Sequence, residues 1–200
     1  MKIFAIGRNY AEHAKELGNE IPEAPVVFMK PDTALLGVDE PFVYPEFSSD
    51  IHYEVEVVLR VSEGGKNIPL NESRRHYDAI SIGIDFTARD LQAKCKAKGL
   101  PWEIAKSFDG SAAIGVFVDV PKESEYQFSL KRNGVVVQDG NTRDMLNGCD
   151  SIIHHVSKYF TLAPGDLIYT GTPSGVGPVI PGDLLEGYLG DQKLMTCQIG

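Results

Sequence analysis

The chain has 200 residues, 42% of them hydrophobic and 24% charged, and a formal net charge of −9. A domain of this length buries enough apolar surface to fold without a disulfide or a structural metal, so a metal bound here is expected to serve chemistry. The acidic balance argues against a nucleic-acid partner. The sequence also lacks an apolar run long enough for a membrane span or a signal-peptide core.

The three cysteines, Cys95, Cys149 and Cys197, are odd in number and widely spaced, and none belongs to a C-x-x-C pair. This pattern argues against a disulfide framework and against a structural zinc site. We therefore expect a reducing, cytoplasmic setting. Because no cysteine has a paired histidine or redox partner in sequence, we expect the thiols to have no catalytic role.

Twenty glycines and 12 prolines separate short β-branched runs, which is typical of a strand-rich α+β fold with a few helices. We expect one domain over residues 1–200. In chain order, the patterns predict a helix at 9–17, strands at 51–61 and 79–86, a helix at 87–98, strands at 113–120, 128–132 and 135–138, a helix at 150–160, and strands at 166–170, 184–189 and 194–199.

Local signals fix the ends of several elements. Asn133-Gly134 predicts a two-residue hairpin turn, because both central positions of a type I′ turn need a positive φ. Thr87 and Asp90 stand at capping-box spacing at the start of the second helix, and Gly99 is expected to end it. The third helix carries apolar residues at helical period and is expected to pack on the core: Ile152, Ile153, Val156, Tyr159 and Phe160.

The predicted strand at 51–61 carries two carboxylates on one face. Side chains of a strand alternate between its faces, so His52, Glu54 and Glu56 lie opposite the apolar residues. Taken alone, an E-x-E pattern is typical of the wet face of an antiparallel strand, and that interpretation stays open for this segment.

Asp85 ends the next predicted strand, after a run of apolar and small residues typical of an interior position. A carboxylate buried there needs a cation or hydrogen-bond donors. Together with Glu54 and Glu56 it predicts an all-oxygen site for a hard cation. Mg²⁺ is favoured, with Mn²⁺ or Ca²⁺ as substitutes.

Residues 87–106 are locally basic in this acidic chain, with five basic and two acidic residues. Lys94, Lys96 and Lys98 are expected on a solvent-facing helix surface. Arg89 and Gln92 lie one helical turn apart just after Asp85, so we predict that they, and Lys106, bind an anionic, metal-chelating substrate. The Gly- and Pro-rich residues 171–178 match no phosphate-loop pattern and predict a tight loop, in which Thr172 can offer a hydroxyl or amide.

Six segments, in this order along nearly the whole chain, resemble the fumarylacetoacetate hydrolase family: GRNYAEH (7–13), FMKP (28–31), HYEVEVV (52–58), GIDFTARDLQ (83–92), LPWEIAKSFD (100–109) and GDLIYTGTPSGVGP (165–178). The likeness is to its short, single-domain branch. It implies a mixed β-sandwich roll, usually a homodimer. It also implies Mg²⁺ or Mn²⁺ at the positions of Glu54, Glu56 and Asp85.

The resemblance implies roles for further residues. His13 and Glu16 match a helix-borne pair on a lid, which activates water in the hydrolases of this branch. From spacing alone, an incidental surface pair stays the alternative. Other positions match contacts with substrate or water, or are expected in the same shell: Gln92, Lys106, Thr172, Arg89 and Lys30. Arg8 is also expected there, at a position that varies among relatives.

The function implied is metal-dependent cleavage of a carbon-carbon bond in an acylpyruvate, which gives pyruvate and a carboxylic acid. Oxaloacetate tautomerases or decarboxylases and 2-hydroxyhepta-2,4-diene-1,7-dioate isomerases of this branch share the same metal-enolate chemistry, so the metal ligands do not decide among them. A non-enzymatic β-sandwich binding module with a structural cation is the remaining alternative.

Overall fold

The computed structural model describes residues 1–18, 20–122 and 125–200. Its strands are β1 (Ile3–Gly7), β2 (Val26–Lys30), β3 (Leu35–Leu36), β4 (Ile51–Tyr53), β5 (Val55–Val61), β6 (Tyr77–Asp85), β7 (Thr87–Ala88), β8 (Ala112–Ile114), β9 (Val118–Asp119), β10 (Gln127–Arg132), β11 (Val135–Asn141), β12 (Leu167–Tyr169), β13 (Gly177–Pro178), β14 (Leu184–Leu189) and β15 (Gln192–Gln198). Its α-helices are α1 (Ala11–Glu16), α2 (Arg89–Lys98), α3 (Glu103–Lys106) and α4 (Cys149–Tyr159).

The largest sheet has eight strands in the order β2-β1-β12-β5-β6-β8-β3, with β9 also paired to β6. The β1–β12 and β3–β8 pairs are parallel, whereas β5 and β6 run antiparallel at its centre. A four-stranded sheet, β11-β10-β14-β15, packs on the centre of the large sheet, and β4, β7 and β13 form a third. This arrangement confirms the strand-rich, mixed β-sandwich fold.

The central strand β5 is buried on both faces, since consecutive residues Val57, Val58 and Leu59 are all inaccessible to solvent. The wet-face interpretation of this strand is therefore wrong. Both faces are covered, as expected for an interior strand of a two-layer fold. Any charged group on β5 accordingly lies inside the protein, where it needs a partner.

The predicted strand at 51–61 divides at Glu54 into β4 and β5. β4 leaves the large sheet and pairs with β7 and β13, while β5 continues in the large sheet. The backbone N–H of Asp85 donates to the carbonyl of Glu54 at 2.9 Å. The strand break therefore sets Glu54 beside the end of β6.

Two predicted helix starts differ from the structure. α1 begins at Ala11 rather than Asn9, because the amide of Asn9 is used elsewhere: it donates to the carbonyls of Asn147 and Thr170 at 2.9 and 2.8 Å. α2 begins at Arg89, and no side chain caps it, because Thr87 lies in β7 and its hydroxyl donates to Asp85 O.

Other local predictions are confirmed, with two exceptions: the predicted strand at 113–120 divides into β8 and β9, and one residue of the third predicted helix is exposed. Asn133 and Gly134 have φ of +53° and +79°, as the hairpin turn requires, and Gly99 ends α2 at φ +62°. α4 buries its apolar face as predicted, but Tyr159 is 63% exposed and does not belong to the core. None of the helices in the described ranges has the length and apolarity of a membrane-crossing segment.

Candidate metal centre and substrate pocket

Three carboxylates meet where the strand break and the end of β6 adjoin. One oxygen each from Glu54, Glu56 and Asp85 lies within 4.8 Å of the others. The three residues are 5%, 2% and 1% exposed. We call this trio the carboxylate floor. The structure thus brings together the three residues that the sequence predicts as metal ligands.

Lys106, at the end of α3, directs its ammonium group at the floor. Its Nζ donates to Glu54 Oε2 at 2.9 Å, to Asp85 Oδ2 at 2.6 Å and to Thr87 Oγ1 at 2.6 Å. Burial by itself lowers the pKa of Lys106, but the Asp85 and Glu54 carboxylates more than offset it, so this pKa is raised. Lys106 therefore holds two carboxylates in place as a permanent cation.

Arg89 and Gln92, on the first turn of α2, line the same pocket. Arg89 donates from one terminal nitrogen to Glu54 Oε1 at 2.6 Å and from the other to Gln92 Oε1 at 2.7 Å. Burial raises the pKa of Glu54, but the charges of Lys106 and Arg89 outweigh it, so the pKa falls well below the ordinary range. Glu54 is thereby kept ionised.

Lys30, predicted in the substrate shell, lies behind the pocket wall instead. Its Nζ donates to the carbonyls of Lys106 and Ser111 and to the Ser111 hydroxyl. It lies 2.8 Å from Asp85 Oδ1, within ion-pair distance. Since its three N–H groups are used by those oxygens, Oδ1 accepts no aligned hydrogen bond from any described residue. Lys30 is a positioning residue for Asp85.

Glu56 differs from its two neighbours. It accepts a hydrogen bond from the Gly171 N–H at 2.7 Å, and among the described residues no cationic side chain lies within ion-pair distance of it. Burial and, next, the Asp85 carboxylate raise the pKa of Glu56 well above its ordinary range. A buried carboxylate of this kind requires a further cation to stay ionised.

A divalent hard cation fits this donor set. The floor offers oxygen ligands only. Among the residues described, Glu56 has no cation beside it and Asp85 Oδ1 has no aligned hydrogen-bond donor. Oxygen-only sites of this kind suit Mg²⁺ or Mn²⁺ rather than zinc.

Burial lowers the pKa of Lys30 and raises that of Glu56, so the charges of the floor and of its partners cancel when Lys30 is protonated and Glu56 is ionised. Three carboxylates stand against three cations, Lys30, Lys106 and Arg89. With a divalent cation bound, the set has a net charge of about +2 in a low-dielectric site, which favours an anionic ligand.

The pocket above the floor is small, with a cavity volume of about 30 Å³. That volume accommodates roughly one or two water molecules. Its lining residues come from β1, β2, β5 and β6 of the large sheet, from the helices α1, α2 and α3, and from segments next to them: Ile6, Gly7, Arg8, His13, Leu17, Phe28, Glu54, Glu56, Asp85, Arg89, Gln92, Lys96, Trp102, Lys106 and Thr172.

His13 and Glu16, predicted as a pair, have different positions. His13 is buried and lines the pocket. Its Nδ1 lies 3.3 Å from Glu16 Oε2. Glu16 is 34% exposed and does not line the pocket, and its carboxylate also accepts from the Gly175 N–H at 3.1 Å. Glu16 thus ties the imidazole of His13 to the loop after β12 and leaves Nε2 for the pocket.

Thr172 lines the pocket from that same loop. Its Oγ1 accepts from Gln138 Nε2 at 2.9 Å, and Gln138 Oε1 accepts from the Val55 N–H at 2.9 Å. Gln138 therefore links the loop to the start of β5. Sequence analysis missed Gln138, although a polar residue in the apolar run of β11 is the kind of signal that reveals a buried polar contact.

Three further residues of the pocket were missed or misplaced. Lys96 was expected on a solvent-facing surface, but it is half-buried and lines the pocket, whereas Lys94 and Lys98 are exposed. Phe28 and Trp102 supply an apolar wall, and their rings lie edge to face at 6.1 Å. Lys96 follows Gln92 by four residues and Arg89 by seven, so the three side chains share one face of α2, and this spacing is the signal that could have placed Lys96 in the pocket.

Comparison with known proteins identifies the family of the chain. The model of the family described as fumarylacetoacetate (FAA) hydrolase C-terminal matches residues 2–199. The chain is 42% identical over 189 residues to the mitochondrial oxaloacetate decarboxylase of Dictyostelium discoideum, covering 92% of this chain and 87% of that one. It is 38% identical over 199 residues to the oxaloacetate tautomerase of Escherichia coli, covering 98% and 91%.

A solved structure shows the same architecture with ligands. It is the fumarylpyruvate hydrolase of Pseudomonas aeruginosa in complex with Mn²⁺ and pyruvate. The two chains superpose with a TM-score of 0.93 and share 34% identity, over 100% of this chain and 89% of that one. A relative of this fold thus binds a divalent cation together with a 2-oxo acid.

Proposed function

Because the chain belongs to the fumarylacetoacetate hydrolase family, we propose that it is a divalent-metal-dependent enzyme that interconverts the keto and enol forms of oxaloacetate. The relatives named for oxaloacetate support this choice. It departs from the acylpyruvate hydrolysis expected first from the sequence, and follows the alternative instead. The family consists of enzymes by name, which argues against a simple binding module.

In this proposal Glu54, Glu56 and Asp85 hold the cation, and the Mn²⁺ of the Pseudomonas aeruginosa relative supports a metal of this class. When bound, the metal supplies Lewis-acid stabilisation of negative charge on the oxygen of the 2-oxo group. Arg89 and Gln92, adjacent to Glu54 on the pocket wall, orient the substrate carboxylate next to that oxygen.

His13 transfers the proton. The keto form of oxaloacetate carries two hydrogens on C3, and the enol form carries one of them on the C2 oxygen instead. His13 Nε2 removes a proton from C3, and the resulting imidazolium returns a proton to the oxygen, so no atom is gained or lost. A well-placed general base of this kind contributes about 10²- to 10⁴-fold in rate.

The observation that carries the proposal is the geometry of His13. The imidazole lines the pocket, while Glu16 lies outside and holds Nδ1. The family resemblance implied that His13 and Glu16 together activate water. We now propose that Glu16 is a positioning residue and that His13 is the catalytic group.

Decay of the enol absorbance of oxaloacetate tests this assignment. We expect His13→Ala to lose about 10²- to 10⁴-fold in kcat, and Glu16→Gln to lose less, because the ring loses only its anionic partner at Nδ1. Glu12→Gln is the matched control, since Glu12 is on the same helix and pairs only with the exposed Lys15 among described residues. Normal turnover by His13→Ala would overturn the proposal.

Acylpyruvate hydrolysis is the second candidate, favoured by the Pseudomonas aeruginosa relative. Hydrolysis needs a water molecule as well as a base, and it releases pyruvate. A coupled pyruvate assay with acylpyruvates, run beside the oxaloacetate assay, separates the two. Tautomer interconversion without pyruvate release supports the tautomerase; pyruvate release at a comparable rate supports the hydrolase.

The remaining sequence predictions belong to the same proposal. We propose that residues 1–200 form one catalytic domain, since the large sheet draws strands from Ile3 to Tyr169. The homodimer, the cytoplasmic location and the choice of Mg²⁺ over Mn²⁺ stay predictions.

A further inference from the structure

The pocket wall contains two cations that no carboxylate neutralises, and this feature bears on which 2-oxo acid the enzyme accepts. On the basis of the proposed function, we propose that Arg8, Lys96 and Trp102 form a subsite for the second carboxylate of a dicarboxylic 2-oxo acid. We call Arg8 and Lys96 the cationic rim. The rim would make the enzyme selective for dianions over 2-oxo acids with an uncharged end.

Arg8 is held in an unusual backbone conformation. It follows β1 at φ +58°, in the left-handed region that residues with a Cβ rarely occupy. Its guanidinium carbon lies 5.9 Å from the centre of the Trp102 ring. Its Nε is buried and has no hydrogen-bond partner among the residues described. A strained backbone that presents an unsatisfied buried donor to a pocket indicates a binding role.

Lys96 approaches the same ring from α2. Its Nζ lies 5.8 Å from the ring centre of Trp102. The two cationic groups are therefore at most about 12 Å apart. The adjacent lysines on the helix, Lys94 and Lys98, are exposed and do not line the pocket.

Neither rim residue forms an ion pair with any carboxylate in the described ranges, whereas all three cations around the floor do. Burial and, next, the charge of Arg8 lower the pKa of Lys96. Two half-buried cations that repel each other across one aromatic ring are stabilised by an anion placed between them. The floor does not supply that anion, because none of its three carboxylates lies within ion-pair distance of Arg8 or Lys96.

In this proposal the two ends of the substrate contact different parts of the pocket. One end of the substrate is held at the floor by its carboxylate and 2-oxo group, and the other end reaches the rim. A charge-assisted hydrogen bond contributes enough to change affinity by about 10- to 100-fold. Oxaloacetate and 2-oxobutyrate have the same chain length and differ in whether that end is a carboxylate or a methyl group, so the pair isolates the rim.

Fluorescence of Trp102, the single tryptophan of the chain, gives a binding readout without turnover. The holoenzyme with Mg²⁺ is titrated with equilibrated oxaloacetate, whose tautomer ratio the enzyme leaves unchanged, and with 2-oxobutyrate. The variants are Arg8→Gln and Lys96→Gln. Lys94→Gln and Lys98→Gln are matched controls on the same helix, and circular dichroism verifies each fold. Lys96→Gln carries the test if Arg8→Gln does not fold.

We expect the wild type to bind oxaloacetate at least about 10-fold more tightly than 2-oxobutyrate. Each rim variant should lower that ratio by about 10-fold by weakening oxaloacetate binding, with 2-oxobutyrate changed less than about threefold. The controls should retain the wild-type ratio. An unchanged ratio in Lys96→Gln, or an equal loss of both ligands, overturns the subsite. If the wild type binds both ligands equally, the subsite is wrong and the proposed function stands; if it binds neither, both are wrong.

Discussion

The carboxylate floor and the cationic rim line the same pocket, but their charges differ in whether they are paired within the protein. At the floor, Lys106 donates to two carboxylates at 2.6 and 2.9 Å and Arg89 donates to one of them at 2.6 Å. At the rim, Arg8 and Lys96 contact an aromatic ring and have no anionic partner in the described part of the chain.

This difference distinguishes charged residues that stabilise the fold from charged residues that are available to bind a ligand. The floor lies at the ends of paired strands, so its geometry is fixed by backbone hydrogen bonds and its charges are matched within the protein. Glu56 is the exception at the floor, as it lacks a cation of its own. We therefore expect substitutions of Glu56 and of the rim to change ligand binding and activity, and substitution of Lys106 to change the free energy of unfolding.

Among substitutions in the floor and the rim, Glu56→Gln should give the largest effect on activity. Gln keeps the shape and can accept from the Gly171 N–H, but it removes one anionic ligand. We expect kcat/KM with Mg²⁺ to fall by about 10²- to 10³-fold, on the scale of lost transition-state stabilisation. Stability without metal should be unchanged or higher, because a buried carboxylate without a cation has been removed. A variant that is active but unstable would reverse this assignment.

Lys106→Met should give the largest effect on stability. It leaves the carboxylates of Glu54 and Asp85 buried without their shared donor, which typically costs about 3–5 kcal/mol. Urea denaturation measures the change in free energy of unfolding. The control Lys15→Met removes an exposed pair with Glu12, which contributes less than about 1 kcal/mol. Equal losses in the two variants would show that Lys106 is not structural.

The rigidity of the floor can be tested through Gly83, which lies opposite Glu56 on β6. A Cβ there would come within 2.7 Å of Ala113 O and of the Tyr169 ring. We expect Gly83→Ala to cost about 1–3 kcal/mol in thermal or urea unfolding. Gly7→Ala in β1 is the control, since its Cβ meets nothing closer than 3.8 Å. If Gly83→Ala leaves the free energy of unfolding unchanged, the sheet accommodates the added Cβ and the floor is not rigid.

The smallest effects are expected at the cysteines. Burial raises the pKa of Cys149 to about 12 and that of Cys197 to about 11. At pH 8 their thiolate fractions are thus at most about 10⁻³, and reaction with iodoacetamide should be slow. Turnover of each Cys→Ala variant, including Cys95→Ala, should stay within a few fold of wild type. Rapid inactivation by single-site alkylation of the folded enzyme would contradict this.

The floor could be predicted from the sequence, whereas the rim was predicted only in part, since Arg8 but not Lys96 was expected in the substrate shell. Alternation on one strand and a carboxylate at the end of an apolar run are local patterns, and they pointed to Glu54, Glu56 and Asp85. Lys96 shares a helix face with Arg89 and Gln92, which its spacing from them shows. What the sequence could not show is that Arg8, Lys96 and Trp102 meet, because they come from different elements of the fold.

The same reason explains Lys30 and Glu16. The family motifs predicted both residues beside the substrate, but a motif does not determine the orientation of a side chain. The hydroxyl and carbonyl of Ser111 and the carbonyl of Lys106 draw Lys30 behind the wall. The Gly175 N–H draws Glu16 to the outer side of His13. Both partners are distant in sequence, so no local pattern shows them.

Calorimetric titration with Mn²⁺ tests the central claim most directly, that the carboxylate floor holds one divalent cation. The wild type, Glu56→Gln and Asp85→Asn are compared, with Glu46→Gln as a control at an exposed carboxylate. The account predicts one ion per chain in the wild type and in the control, with binding lost or weakened by at least about 10-fold in the two floor variants. Unchanged affinity and stoichiometry in Glu56→Gln and Asp85→Asn would contradict it.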